Sequence, residues 1–280
     1  MSFHKSSIKL ILRHLVLIVT VFVIALPFIS MIGTAIKEPV VAMTSTSLIP
    51  MSLKDVSFSS IYSVLFKTTF SIQLKNSAII SVCTVVFCVI IATFAGYAIS
   101  RFRGQFFSVY SIMLLVLQMF PTMLMLIPLY LIYSRIGLIN TLSSTILSYT
   151  ALNLAFSIWL LKAFFDTIPI ELEEAAMVDG CTQFHAFIRI ILPLSQPGIA
   201  TVSIFAFINS WNEYTLASIF LKKDSVIPMT VGLQKFVQEY SAQWTMLMAA
   251  AAIATVPTLL FLFVAQKYLV EGMTMGAVKG

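Results

Sequence analysis

The side chains able to do chemistry are few, and five of the eleven acidic residues fall within one tenth of the chain. That stretch, residues 162–189, carries Asp166, Glu171, Glu173, Glu174 and Asp179 against Lys162 and Arg189. Carboxylates gathered in this way could ligate a metal, move a proton or meet a protein. Metal ligation and acid–base work need His, Cys or further carboxylates at close spacing, and none is in place. His4, His14 and His185 are dispersed, and Cys83, Cys88 and Cys181 are too few for a disulfide framework and read as reduced. No G-x-x-x-x-G-K-[ST] phosphate loop occurs. The sequence therefore predicts no catalytic residue, no metal site and no cofactor bound by this chain. A segment resting on anionic headgroups would be basic, so the acidic stretch reads as a surface for another protein. The plainer alternative is an ordinary amphipathic loop helix.

Its local structure is legible. Pro169 suits the first turn of a helix, and Glu171, Glu173 and Glu174 follow where carboxylates favour the positive end of the helix dipole. Leu172, Ala175, Ala176 and Asp179 repeat at i, i+3, i+4 and i+7, one narrow face on which a partner backbone can come close. Gly180 stops the helix as a C′ glycine. Thr182 caps a second helix running through Phe184, Phe187 and Ile188 to Pro193.

The elements that must hold this segment are membrane helices. Of 280 residues, 59% are hydrophobic and 10% charged, against about 25% charged in a soluble domain; mean hydropathy is +0.99. Charge-free runs cover residues 14–36, 76–100, 104–134, 136–161, 190–212 and 240–266. Each exceeds the roughly 20 residues that cross a bilayer as helix. The predicted fold is an all-α membrane protein of six transmembrane helices in one domain, 14–266, between tails 1–13 and 267–280. The N-terminal apolar run is too long for a cleavable signal. Lys5, Lys9 and Arg13 instead form a basic stripe that favours the cytoplasmic leaflet. With both termini inside, Lys and Arg divide nine inside, Arg101 among them, and eight outside, Lys37 among them. The net charge of +6 is spread over every loop, without the basic, aromatic-interleaved groove of a nucleic-acid binder. Trp159, Trp211 and Trp244 lie near span ends as interfacial anchors. Pro27, Pro121, Pro128, Pro193, Pro197 and Pro257 interrupt or border the spans.

Polar residues inside the spans, Gln118, Asn153, Asn209 and then Asn212, are candidate lining of a translocation pathway, with interhelical hydrogen bonding as the weightier alternative. Tyr130, Phe205 and Tyr214 could stack on a solute, but packing is the weightier reading of each. An ion-coupled secondary transporter of a small polar solute is the rival function. It would ordinarily place Asp, Glu, His or Arg at membrane depth, where this chain has none.

The stretch Glu174-Ala-Ala-Met-Val-Asp-Gly180, followed by Ile190-Ile-Leu-Pro193 and Pro197-Gly198, resembles the EAA loop of ABC importer permeases. The likeness extends along the chain to carbohydrate-importer permeases of the MalG type. It runs through Asn76-Ser77, Tyr97-Ala-Ile-Ser-Arg-Phe102, Pro128-Leu-Tyr130, Gly137-Leu-Ile-Asn140, Ser210-Trp-Asn-Glu213, Gly232-Leu-Gln234 and the tail Gly272-Met-Thr-Met-Gly276-Ala-Val-Lys-Gly280. Cys181, where the family has alanine, and Met273, where it often has leucine, are mild departures. The resemblance implies the MetI-like permease fold and an inner-membrane location. Glu174, Ala175, Ala176, Asp179 and Gly180 would form a coupling helix seated on a cytoplasmic ABC ATPase dimer, which holds the ATP and magnesium. It also implies a second, MalF-like permease, an extracytoplasmic sugar-binding protein and an oligosaccharide substrate of the malto-oligosaccharide kind. The glycine-containing tail is expected to be flexible enough to reach the ATPases.

Overall fold

The structure is a computed structural model. It describes the backbone of residues 2–102, 104–238 and 244–277, and their side chains apart from 2–8, 106, 108, 115 and 267–277. Lys5 of the basic stripe and residues 278–280 of the tail thus lie outside the described side chains or residues. The helices are α1 (Ser2–Ala35), α2 (Pro39–Thr44), α3 (Ser59–Phe66), α4 (Phe70–Arg101), α5 (Gln105–Gln118), α6 (Thr122–Arg135) and α7 (Leu142–Phe165). After these come α8 (Glu171–Val178), α9 (Gln183–Ala186), a π-helical turn at Phe187–Ile191, α10 (Leu192–Leu194), α11 (Gln196–Asn212), α12 (Thr215–Phe220), α13 (Met229–Gln238) and α14 (Trp244–Ala277).

The six apolar segments take two forms. Four are unbroken helices long and apolar enough to cross a membrane: Lys9–Ala35, Phe70–Arg101, Leu142–Phe165 and Trp244–Gln266. The other two are bent pairs, Val109–Gln118 with Thr122–Arg135 at 96° and Gln183–Leu194 with Gln196–Asn212 at 71°. Pro121 sits at the first break in extended backbone (φ −62°, ψ 121°). It brings no N–H to continue the ladder and biases Phe120 away from helix. The second break falls at Ser195, with Pro197 at the start of α11. Pro27, Pro128 and Pro257 lie inside helices without ending them. The tail departs from expectation: α14 stays helical to Ala277, because Gly272 and Gly276 each weaken a helix by only about 1 kcal/mol.

The chain divides into two compact units. The first comprises residues 1–71 and 232–256. Its α1 is apolar and exposed from Leu10 to Ile24. Gly33 is needed there, since a β-carbon would lie 2.1 Å from the Leu48 carbonyl oxygen. Lys37, counted among the outer-loop charges, is buried. It pairs across an isolated bridge with Val56, is 1% exposed, and donates from Nζ to the Ser47 carbonyl. Phe70 packs edge-on against Phe236, centroids 5.8 Å apart.

The second unit comprises residues 72–231 and 257–280 and contains the acidic segment. One core gathers Tyr97, Leu161, Phe165, Phe187, Ile191 and Val202; another gathers Ile80, Tyr133, Tyr149, Leu216, Phe220 and Ile227. Helix α7 buries Ser144, Thr145, Ser148, Asn153 and Ser157. Their polar groups are satisfied on the way in: Ser144, Thr145, Ser148 and Ser157 donate to carbonyls three or four residues back at 2.8 Å. Small hydroxyls turned onto their own helix let neighbours approach closely. At Gly96 of α4, an added β-carbon would meet Leu161 Cβ and Lys162 N at 3.1 Å. Trp159 and Trp244 are exposed as anchors would be, but Trp211 is 3% exposed and stacks on Phe207 at 5.3 Å. The apolar body of its ring is satisfied by the core rather than by an interface.

Candidate functional site

Helix α4 has 32 residues, about 48 Å at 1.5 Å per residue, so it outruns a hydrocarbon core of roughly 30 Å. Its last turn, from Tyr97 to Arg101, meets the end of α7 and the start of α8. Arg101 Nε donates to Glu173 Oε1 in a salt bridge whose side chains are 7% and 4% exposed. Tyr97 Oη donates to Glu173 Oε2 at 2.5 Å, satisfying the second carboxylate oxygen. The remaining nitrogens of Arg101 donate to the carbonyls of Phe165 and Ile168, each at 3.1 Å. The Phe165 carbonyl lies at the electronegative end of α7, where a cation is favoured. Ser100 Oγ donates to Asp166 Oδ1 at 2.6 Å, and Lys162 Nζ reaches Asp166 Oδ2 at 2.6 Å. Arg101 is thus no loop charge: it is shared by three elements. Tyr97, Arg101 and Glu173 were not singled out from sequence as site residues. The signal was present in part, because Tyr97 and Arg101 stand at i, i+4 on one face.

Beyond Glu173 the helix is open to solvent. Glu174, Ala175, Asp179 and Gly180 are exposed, as are Leu172, Met177 and Val178. Ala176 is the exception among the expected docking residues: at 7% exposure it faces inward with Glu173, three residues away on the same side. The face of Leu172, Ala175, Ala176 and Asp179 is therefore split, Ala176 packing against this chain and the other three presented outward. The helix ends as expected. Gly180 has φ +88°, its N–H donates to Met177 O at 3.1 Å, and Cys181 N–H donates to Ala176 O at 2.9 Å. These two bonds make a Schellman motif. Thr182 then accepts from the His185 amide at 3.3 Å and caps the next helix. The π-helical turn at Phe187–Ile191 packs Phe187 against Tyr97, centroids 4.4 Å apart.

The pathway candidates part company. Asn153 is buried, donates to Tyr149 O at 2.7 Å and accepts from Asn209 Nδ2 at 3.0 Å. Those two asparagines form an interhelical pair between α7 and α11. Asn212 donates to Ile208 O on its own helix at 2.9 Å. Gln118 lines a cavity of about 380 Å³ with Thr122, Tyr133, Ser148, Phe156 and Phe205, all uncharged. Phe205 packs tilted against Phe156, ring centroids 4.1 Å apart, while Tyr130 and Tyr214 are exposed. Among the described residues no group of three or more His, Cys, Asp and Glu could hold a metal ion.

Residues 88–275 match the family described as Binding-protein-dependent transport system inner membrane component. The chain is 32% identical over 207 residues to the sulfoquinovosyl glycerol transport system permease protein SmoH of Agrobacterium fabrum, covering 74% of this chain and 73% of that protein. It is 35% identical over 214 residues to the trehalose/maltose transport system permease protein MalG of Thermococcus litoralis, with coverage of 75% and 76%. A crystal structure of a bacterial ABC transporter involved in the import of the acidic polysaccharide alginate contains a chain of the same fold. There the TM-score is 0.82 at 23% identity, over 95% of this chain and 98% of that one.

Proposed function

The chain belongs to the family of inner membrane components of binding-protein-dependent transport systems, and from that premise we propose that it is the permease subunit of an ATP-driven importer for a neutral oligosaccharide of the malto-oligosaccharide kind. It forms half of a pathway whose other half is a second, MalF-like permease. Two cytoplasmic ATPase domains supply hydrolysis, with ATP and magnesium bound on them, and an extracytoplasmic sugar-binding protein delivers the substrate. Both termini are cytoplasmic, which puts residues 162–189 beside the ATPases. ATP binding closes the ATPases, draws the coupling helices together and turns the pathway from inward-facing to outward-facing.

One observation carries this reading: the exposed surface of Glu174, Ala175 and Asp179, ended by a glycine at φ +88°, in a chain without a phosphate-binding loop of its own. The cavity beside Gln118 supports the substrate class. Its lining is uncharged, and desolvating an acidic sugar without a cation costs several kcal/mol. Among the relatives' substrates this favours a neutral sugar, the class to which trehalose and maltose belong, over an acidic one. The test is uptake of labelled maltotriose in cells expressing the whole system. Uptake is expected to persist when proton and sodium gradients are collapsed and to stop when ATP is depleted. Loss of uptake with an ionophore at constant ATP would overturn the reading in favour of an ion-coupled transporter.

A further inference from the structure

The buried cluster of Tyr97, Arg101 and Glu173 is larger than a coupling surface requires. Docking to another protein needs exposed groups, and Glu174, Ala175 and Asp179 already provide them on the opposite side of α8. Glu173 points the other way and is 3% exposed. Five side-chain hydrogen bonds run from the last turn of α4 into residues 165–173, two of them to Glu173, two to backbone carbonyls and one to Asp166. A guanidinium is the group suited to this: it is planar, always charged and carries donors in a rigid fork. Here the fork spans one carboxylate on α8 and two carbonyls, Phe165 at the end of α7 and Ile168 in the turn that follows. An ion pair so buried is a poor device for stability alone, because desolvation offsets most of its attraction. What it provides is a fixed orientation between three elements.

We propose that Arg101 and Glu173, with Tyr97, are positioning residues for energy coupling: they fasten the coupling helix to α4 and α7, so that displacement of the helix is delivered directly into those two spans. This rests on the importer reading above. It adds a route separate from the elbow, since Gly180 lies beyond α8 and joins it to α9 rather than to α4. The close packing of Gly96 on α7 continues the same joint into the membrane, so a push on Glu173 has little slack to take up.

The experiment uses the assembled complex in lipid nanodiscs, comparing the native chain with Arg101→Met, Glu173→Gln and the double variant Arg101→Met/Glu173→Leu. Three quantities are read: ATPase subunit retained on purification, substrate imported per ATP hydrolysed, and the spread of distances between spin labels at Phe102→Cys and Val178→Cys, both exposed positions, with the native cysteines replaced. The single variants are expected to keep the ATPase, lose about tenfold in substrate per ATP, an ordinary size for coupling between sites, and broaden the label distances. The double variant guards against misfolding, because replacing a buried pair by apolar residues is commonly tolerated. It is expected to insert and dock at native levels yet stay uncoupled, since apolar packing cannot reproduce the three-way fork. Restored coupling in the double variant would reduce the cluster to packing and overturn the proposal. So would loss of ATPase retention in the single variants, which would make the cluster part of docking, or unchanged substrate per ATP. A native complex that retains no ATPase would instead sink the importer reading itself, before any variant is compared.

Discussion

Replacing Gly180 by valine isolates the contribution of the elbow. An added β-carbon at Gly180 meets nothing within 4 Å, so the penalty at the β-carbon comes from φ +88° rather than from packing. For a residue with a β-carbon in the left-handed region this is about 1–2 kcal/mol, roughly a 5–30-fold shift in the local equilibrium. A β-branched side chain fits that region worse still. The strain can be relieved by giving up the bonds from Gly180 to Met177 O and from Cys181 to Ala176 O, which frays the end of α8. The spans are not involved, so membrane levels and pairing with the partner permease should be unchanged. A graded series follows: Gly180→Asn near native, because asparagine tolerates the left-handed region, Gly180→Ala weakened and Gly180→Val severely impaired. The assays are co-purification of the ATPase and sugar uptake, each normalised to permease in the membrane. Glu174→Lys should lower docking by a separate route, reversing charge on the exposed face while leaving the elbow intact. Native uptake and docking in Gly180→Val at normal expression would refute the reasoning, and the acidic segment would revert to a solvated turn.

Cys181, half-buried just past the elbow, should resist an impermeant thiol reagent in intact cells and react once the membrane is permeabilised and the complex dissociated; labelling of intact cells would reverse the orientation. In Gly198→Ala the new β-carbon would lie 2.7 Å from Phe164 Cγ, an overpacking cost of about 1–3 kcal/mol. Thermal unfolding of the purified chain should show that loss, and Phe164→Ala in the same chain should recover part of it. Asn153→Leu and Asn209→Leu should each leave uptake largely intact. A double-mutant cycle on stability should return a coupling of about 0.6–2 kcal/mol, as for other interhelical hydrogen bonds in membranes; a collapse of uptake at native stability would instead return both to the pathway lining.

By itself the sequence determined what depends on nearby residues. Charge-free runs of bilayer length set the class, because transfer free energy adds up along a segment regardless of what lies beside it. The end of α8 was legible from Gly180 and the start of the next helix from Thr182, because capping is decided within a few residues. A proline marked each of the two broken segments, yet the bends of 96° and 71° were not readable, since other prolines in this chain pass through unbroken helices. Tertiary structure decided everything that required choosing a distant partner. It turned Ala176 inward, paired Asn153 with Asn209, buried Lys37 against the Ser47 carbonyl, and drew Trp211 away from an interface into the core. Above all it gave Arg101 to Glu173, 72 residues away. A lone arginine after an apolar run looks the same in sequence whether it faces water or a buried carboxylate. Only the close approach of α4 to α7 at Gly96, where a β-carbon would meet Leu161 Cβ and Lys162 N at 3.1 Å, brings its fork within reach.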